Sequence, residues 1–64
     1  MWHSLRDVAA HRRLPEDDFL SFAIGQAPKF GVIDTSDDPK VSTFDVRDLV
    51  NAFQHLQLES MNQH

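Results

Sequence analysis

Sixty-four residues bound the chain to one small domain with a thin core, because a domain of this size hides only about 60% of the surface its unfolded form exposes. Ten acids against six bases give a net charge of −4 with four histidines neutral, a balance without global attraction for nucleic acid that favours a basic protein partner. Cysteine is absent, which excludes disulfides and thiolate metal sites and fits a reducing, cytoplasmic setting, and no apolar run approaches the roughly 20 residues of a membrane span.

Ser4 is placed to cap a first helix over about residues 5–13, with Trp2, Leu5, Val8 and Ala9 on one face at helical spacing. Trp2 on that stripe packs into the core by default, with a partner-facing anchor as the other reading. Arg12 leans toward the same face and snorkels or meets an acid. Arg6 and Arg13 form a basic flank beside it. Leu14-Pro15-Glu16-Asp17-Asp18 restarts the chain: proline suits a helix's first turn, and acids there suit the positive end of its dipole. A second helix, Glu16 to Ile24, carries Phe19, Leu20, Phe22, Ala23 and Ile24 over more than half its circumference, so it belongs in the centre. Gly25 is its stop, with Pro28 beyond.

Lys29 to Ile33 reads as a strand with Phe30 and Val32 on one face. Thr35 to Pro39 are turn formers, and Lys40 to Thr43 returns as a second strand, with Pro39 at the apex. Ser42 or Thr43 caps a last helix with Asp45 and Asp48 in its early turns. Val46, Leu49, Val50, Phe53 and Leu56 form its stripe. Residues 59–64 are expected to fray. The fold class is α+β: two N-terminal helices, a two-stranded hairpin and a C-terminal helix in a single domain, 1–64.

The segment Asp34-Thr-Ser-Asp-Asp-Pro-Lys-Val-Ser-Thr-Phe-Asp45 resembles the calcium loop of EF-hand and dockerin modules. Asp34, Ser36, Asp38, Lys40, Ser42 and Asp45 stand at its ligand positions, Val41 at its aliphatic one. Two departures favour an acidic hairpin tip. Pro39 stands where the loop's bend takes glycine, and the incoming helix would contain Gly25, Pro28 and Gly31.

With a hairpin accepted, the order helix, helix, hairpin, helix, opened by Leu5-Arg-Asp-Val-Ala-Ala and closed by Val41-Ser-Thr-Phe-Asp-Val-Arg-Asp-Leu, resembles the small winged-helix domains of phage excisionases and MerR-type regulators. That resemblance implies a second helix in the DNA major groove and a hairpin on the backbone. The helix in that position carries Glu16, Asp17, Asp18, Ser21 and Gln26 with no arginine or lysine, the wrong sign for phosphate. DNA binding on this reading falls to Arg6, Arg12, Arg13, Lys29 and Lys40.

His3, His11, His55 and His64 show no paired helical ligand spacing, and no serine sits in a nucleophile motif, so neither a metal, a cofactor nor catalysis is expected. The expected function is a non-enzymatic protein-binding module, a small regulator or inhibitor that covers a partner's basic surface with Glu16, Asp17, Asp18, Asp34, Asp37 and Asp38. Phe44 and Leu58 are candidates for partner contact. Leu56, Leu58 and Met61 are the candidate self-association surface of a homodimer.

Overall fold

Ser4 takes an extended backbone, φ −62° and ψ 130°, and its Oγ accepts the Asp7 N–H at 3.4 Å, which starts helix α1, Leu5–Arg12. A second orphan donor of that helix end, the Leu5 N–H, donates to the Pro39 carbonyl at 2.9 Å. The computed structural model that shows this describes residues 1–27, 29–35 and 37–62. At its other end α1 stops because Arg13 turns left-handed, φ 57°. The Leu14 N–H then reaches the Ala9 carbonyl at 2.8 Å and the Arg13 N–H the Ala10 carbonyl at 3.3 Å, the paired bonds of a Schellman end. Arg13 therefore leaves the helix instead of forming a flank with Arg6.

Helix α2, Glu16–Gly25, has no side-chain cap; Glu16, Asp17 and Asp18 fill its first turn and complement the dipole instead. The chain runs on through Gly25 before Gln26 closes the end with its N–H on the Ala23 and Phe22 carbonyls. The helix thus closes one residue beyond the expected stop at Gly25, and Pro28 lies outside the described residues.

Three short strands form one antiparallel sheet: β1 (Trp2–Ser4), β2 (Val32–Ile33) and β3 (Lys40–Ser42), in the order β1-β3-β2. Trp2 lies opposite Ser42 and Ser4 opposite Lys40, while Val32 lies opposite Val41 and Ile33 opposite Lys40. Strand β1 corrects the place of Trp2. A residue ahead of the N-cap cannot share the helix's stripe, and Trp2 is 48% exposed on the sheet. The strand expected from Lys29 begins only at Val32, because the Lys29 and Phe30 N–H groups both donate to the Gln26 carbonyl in a continuing turn. Pro39 is not the apex of the hairpin. It is buried immediately before β3, against the start of α1.

Helix α3, Val46–Asn62, begins later and ends later than the sequence suggests. The Leu49 N–H donates to the Asp45 carbonyl at 2.9 Å, so Asp45 holds the cap position. Ser42 Oγ instead accepts the Phe44 N–H, and Thr43 Oγ1 donates to the Met1 carbonyl. The core gathers Leu5, Val8 and Ala9 of α1, Phe19 and Ala23 of α2, Val41 of β3 and Leu49, Val50 and Phe53 of α3. Phe19 and Phe53 meet edge to face at 5.3 Å, a favoured aromatic geometry. The architecture is the expected α+β order of two helices, a hairpin and a helix, with one additional strand at the start.

Candidate functional site

The packing of α2 on α3 leaves a groove of about 390 Å³, lined by Asp18, Ser21 and Phe22 of α2 and by Phe53, Leu56, Gln57 and Ser60 of α3. Both sets follow from helical spacing. Asp18, Ser21 and Phe22 stand at i, i+3 and i+4; Phe53, Leu56, Gln57 and Ser60 at i, i+3, i+4 and i+7. Phe53 is nearly buried, Phe22 is half-buried with its ring 5.6 Å from that of Phe53, and Leu56 is 47% exposed. The floor is thus apolar, and among the described residues the only charged one on the rim is Asp18.

Asp18 continues a run with Glu16 and Asp17. All three are exposed, and none joins an ion pair among the described residues. The other half of the expected acidic set lies elsewhere. Asp34 and Asp37 are exposed in the loop before β3, which meets the first residues of α1, whereas Glu16 follows the far end of that helix. An α1 of 8 residues separates the two sets by about 12 Å along its axis. Asp38 is not free: its Oδ1 accepts the Ser4 hydroxyl at 2.8 Å and its Oδ2 pairs with Lys40 Nζ at 3.1 Å. The Ser4 hydrogen bond, then the one from Lys40, holds its carboxyl below the usual range. The six acids therefore split into an unpaired run on α2 and a loop group of which one member is engaged.

The basic residues are divided as well. An Arg6 guanidinium nitrogen donates to the Asp37 carbonyl, Lys40 holds Asp38, and Lys29 Nζ stands 6.0 Å from the centre of the Phe30 ring. Arg12 and Arg13 are exposed at the end of α1, next in the chain to the α2 acids. The calcium-loop oxygens also diverge: Asp38 faces Ser4 and Lys40, while Asp45 Oδ2 accepts the Gly31 N–H at 2.9 Å. Ser36 and His64 lie outside the described residues.

Leu56, Leu58 and Met61 are exposed, at 47%, 59% and 72%, but they do not form one surface. Positions two apart on a helix point about 200° from each other. Leu56 therefore lines the groove while Leu58 projects from the opposite side. Leu58 and Met61, three apart, share that other face. Phe44 is almost fully exposed in the turn before α3.

Sequence reasoning did not single out Ser21, Phe22, Gln57 and Ser60 as a surface. The spacing was present in the sequence, but which face of each helix stays uncovered depends on the packing angle. A second groove, about 460 Å³, runs along β1 and α1, with Trp2, His3, Asp7, His11 and Arg12 in its lining. His3 Nε2 is 2.9 Å from Thr43 Oγ1. The same hydroxyl lies 3.0 Å from the Met1 carbonyl. No helix among the described residues is long and apolar enough to cross a membrane. No protein-family model, curated protein or solved structure matches this chain.

Proposed function

We propose that this chain is a non-enzymatic protein-binding module, a small regulator or inhibitor that engages a basic surface of a partner through the start of α2. The observation that carries this reading is the run Glu16-Asp17-Asp18: three consecutive exposed acids without an ion-pair partner among the described residues. Such a patch steers a cationic partner and selects against acidic ones. Two of the basic residues, Arg6 of α1 and Lys40 of β3, are by contrast engaged by Asp37 and Asp38 of the loop before β3. A protein captured from native cells, identified by mass spectrometry and purified, should bind the chain in a salt-sensitive manner. It should lose roughly tenfold or more in affinity for a Glu16→Lys/Asp17→Lys variant. An unchanged affinity overturns the proposal.

A second reading, DNA binding in the winged-helix manner, is favoured by one observation. Strand β1 pairs with β3 and so ties the hairpin to the body, which would hold a wing in place. In that reading Arg6, Arg12, Arg13, Lys29 and Lys40 contact phosphate. It demands retention on duplex DNA at low salt that falls steeply as salt rises; no retention removes it.

A further inference from the structure

We infer that the groove between α2 and α3 receives one amphipathic helix of the partner, with apolar anchors on Phe22, Phe53 and Leu56 and a lysine or arginine beside Asp18. This inference rests on the protein-binding reading above and gives it a seat and a ligand chemistry. Both walls are helices whose lining side chains stand at i, i+3 and i+4 spacing, the arrangement that a third helix fills with its own i, i+3, i+4 ridge. The free strand edges, β1 and β2, belong to the sheet and not to this groove, so an extended peptide has no backbone to pair with here. Helix α3 continues to Asn62, well past Phe53, the last buried residue among those described. Its final turns thus form a wall with the body on one side only.

Charge selects the occupant. Asp18 is the only charged residue among the described ones that lines the groove, and Glu16 and Asp17 precede it in the same turn. A second copy of the chain seated on the same face offers Asp18 no counter-charge, because no lysine or arginine lines the groove among the described residues. A helix that carries leucine-type anchors flanked by lysine or arginine satisfies both the floor and the rim. The volume, about 390 Å³, lies at the small end of the usual range for pockets, roughly 300–1,000 Å³, and suits a few side chains better than a large ligand.

The probe is a synthetic amphipathic peptide of leucine and lysine at helical spacing, titrated into the isotope-labelled chain. Amide shifts are expected at Ser21, Phe22, Leu56, Gln57 and Ser60. Leu56→Gln should weaken binding about tenfold, the loss of a buried anchor. Asp18→Asn should weaken it and flatten its salt dependence, while Leu58→Gln, on the opposite side of α3, should leave it unchanged. Both substitutions that weaken binding fall at exposed helical positions, and unchanged far-ultraviolet dichroism separates lost binding from lost fold. Shifts confined to Glu16 and Asp17, or equal binding of a lysine peptide without leucines, overturn the groove but leave the acidic-surface reading standing. Equal binding of a leucine–glutamate peptide overturns the charge selection. Concentration-dependent groove shifts without peptide hand the site to a second copy and overturn the inference. Failure of the Glu16→Lys/Asp17→Lys test above overturns the parent reading independently.

Discussion

The Ser4 hydroxyl donates to Asp38 Oδ1 at 2.8 Å while its oxygen accepts the Asp7 N–H at 3.4 Å, so the cap of the first helix is also the anchor of the loop before β3. The neighbouring bonds repeat the connection: Leu5 N–H to the Pro39 carbonyl, and Arg6 to the Asp37 carbonyl. The loop's last residues thus satisfy a helix terminus that would otherwise lack partners. Ser4→Ala removes the cap and one Asp38 bond together. The cap alone is worth about 1 kcal/mol, which for a domain of this size lowers the melting temperature by roughly 4–8 °C. A loss below a degree in a thermal melt contradicts this role.

Asp38 makes the same junction sensitive to acid. Its folded pKa is depressed below 3.8 by the Ser4 hydrogen bond first and by Lys40 second. A depressed carboxyl stabilises the fold only while it is ionised. The contribution is therefore complete above the unfolded value of 3.8 and disappears as pH falls through the lower folded value. Asp38→Asn should melt earlier than the parent chain at neutral pH, and the gap should close as the pH drops below that window. A gap that stays constant over the acid range rules out the assigned cause.

Gly31 is held from both sides, by the cap of α3 and by the end of β3. Its N–H donates to Asp45 Oδ2 at 2.9 Å and its carbonyl accepts the Ser42 N–H at 2.8 Å. A Cβ at this position would stand 2.6 Å from Asp45 Oδ2 and 3.2 Å from Ser42 Cβ. The oxygen cannot retreat without giving up the Gly31 bond. Gly31→Ala should cost about 1–3 kcal/mol, the usual range for overpacking. In Asp45→Ala the clashing oxygen is gone, so the double variant should lose clearly less than the sum of the singles. Strict additivity in chemical denaturation is the contrary result.

Arg13 occupies a left-handed backbone, φ 57°, without the freedom of glycine. Glycine pays no Cβ penalty there, and the penalty is about 1 kcal/mol for other residues. Arg13→Gly should raise the melting temperature by several degrees, and Arg13→Val, which is β-branched, should lower it. The same substitution bears on the two functional readings. It leaves an acidic protein-binding surface untouched, but removes one phosphate contact from the DNA reading and reduces its salt slope by about one.

The helices were legible in the sequence because their signals are local. Ser4, the acids after Pro15 and the stripe Val46-Leu49-Val50-Phe53 each declare an end or a face within a few residues. Strand β1 was not legible. It is three residues long and exists through pairing with Val41 and its neighbours about forty positions away, a partner that local periodicity cannot name. Cap assignment failed at α3 for a related reason. Ser42 and Thr43 are good cap residues, but the sheet and the Met1 carbonyl claim them first, and Asp45 takes the position. The same holds at the candidate site. Composition gave the acids, yet only the fold divides Asp38 from Asp18 and brings Leu56 beside Phe22 in one groove.

Phe53 joins the core to the groove, since its ring meets Phe19 at 5.3 Å and Phe22 at 5.6 Å. At roughly 0.05–0.15 kcal/mol per residue, a chain of this length is stable by about 3–10 kcal/mol. Phe53→Ala removes both aromatic contacts and leaves a cavity, at a cost of about 3–5 kcal/mol. That is about a third or more of the whole stability, so the variant should unfold at a much lower temperature and denaturant midpoint than the parent chain. Phe53→Leu keeps most of the volume and costs less than about 1.5 kcal/mol if the neighbours repack. It should therefore fold, with a shallower groove floor and weaker binding of the leucine–lysine peptide. A Phe53→Ala chain that unfolds at the parent's denaturant midpoint places the core elsewhere than on the Phe19–Phe53 contact.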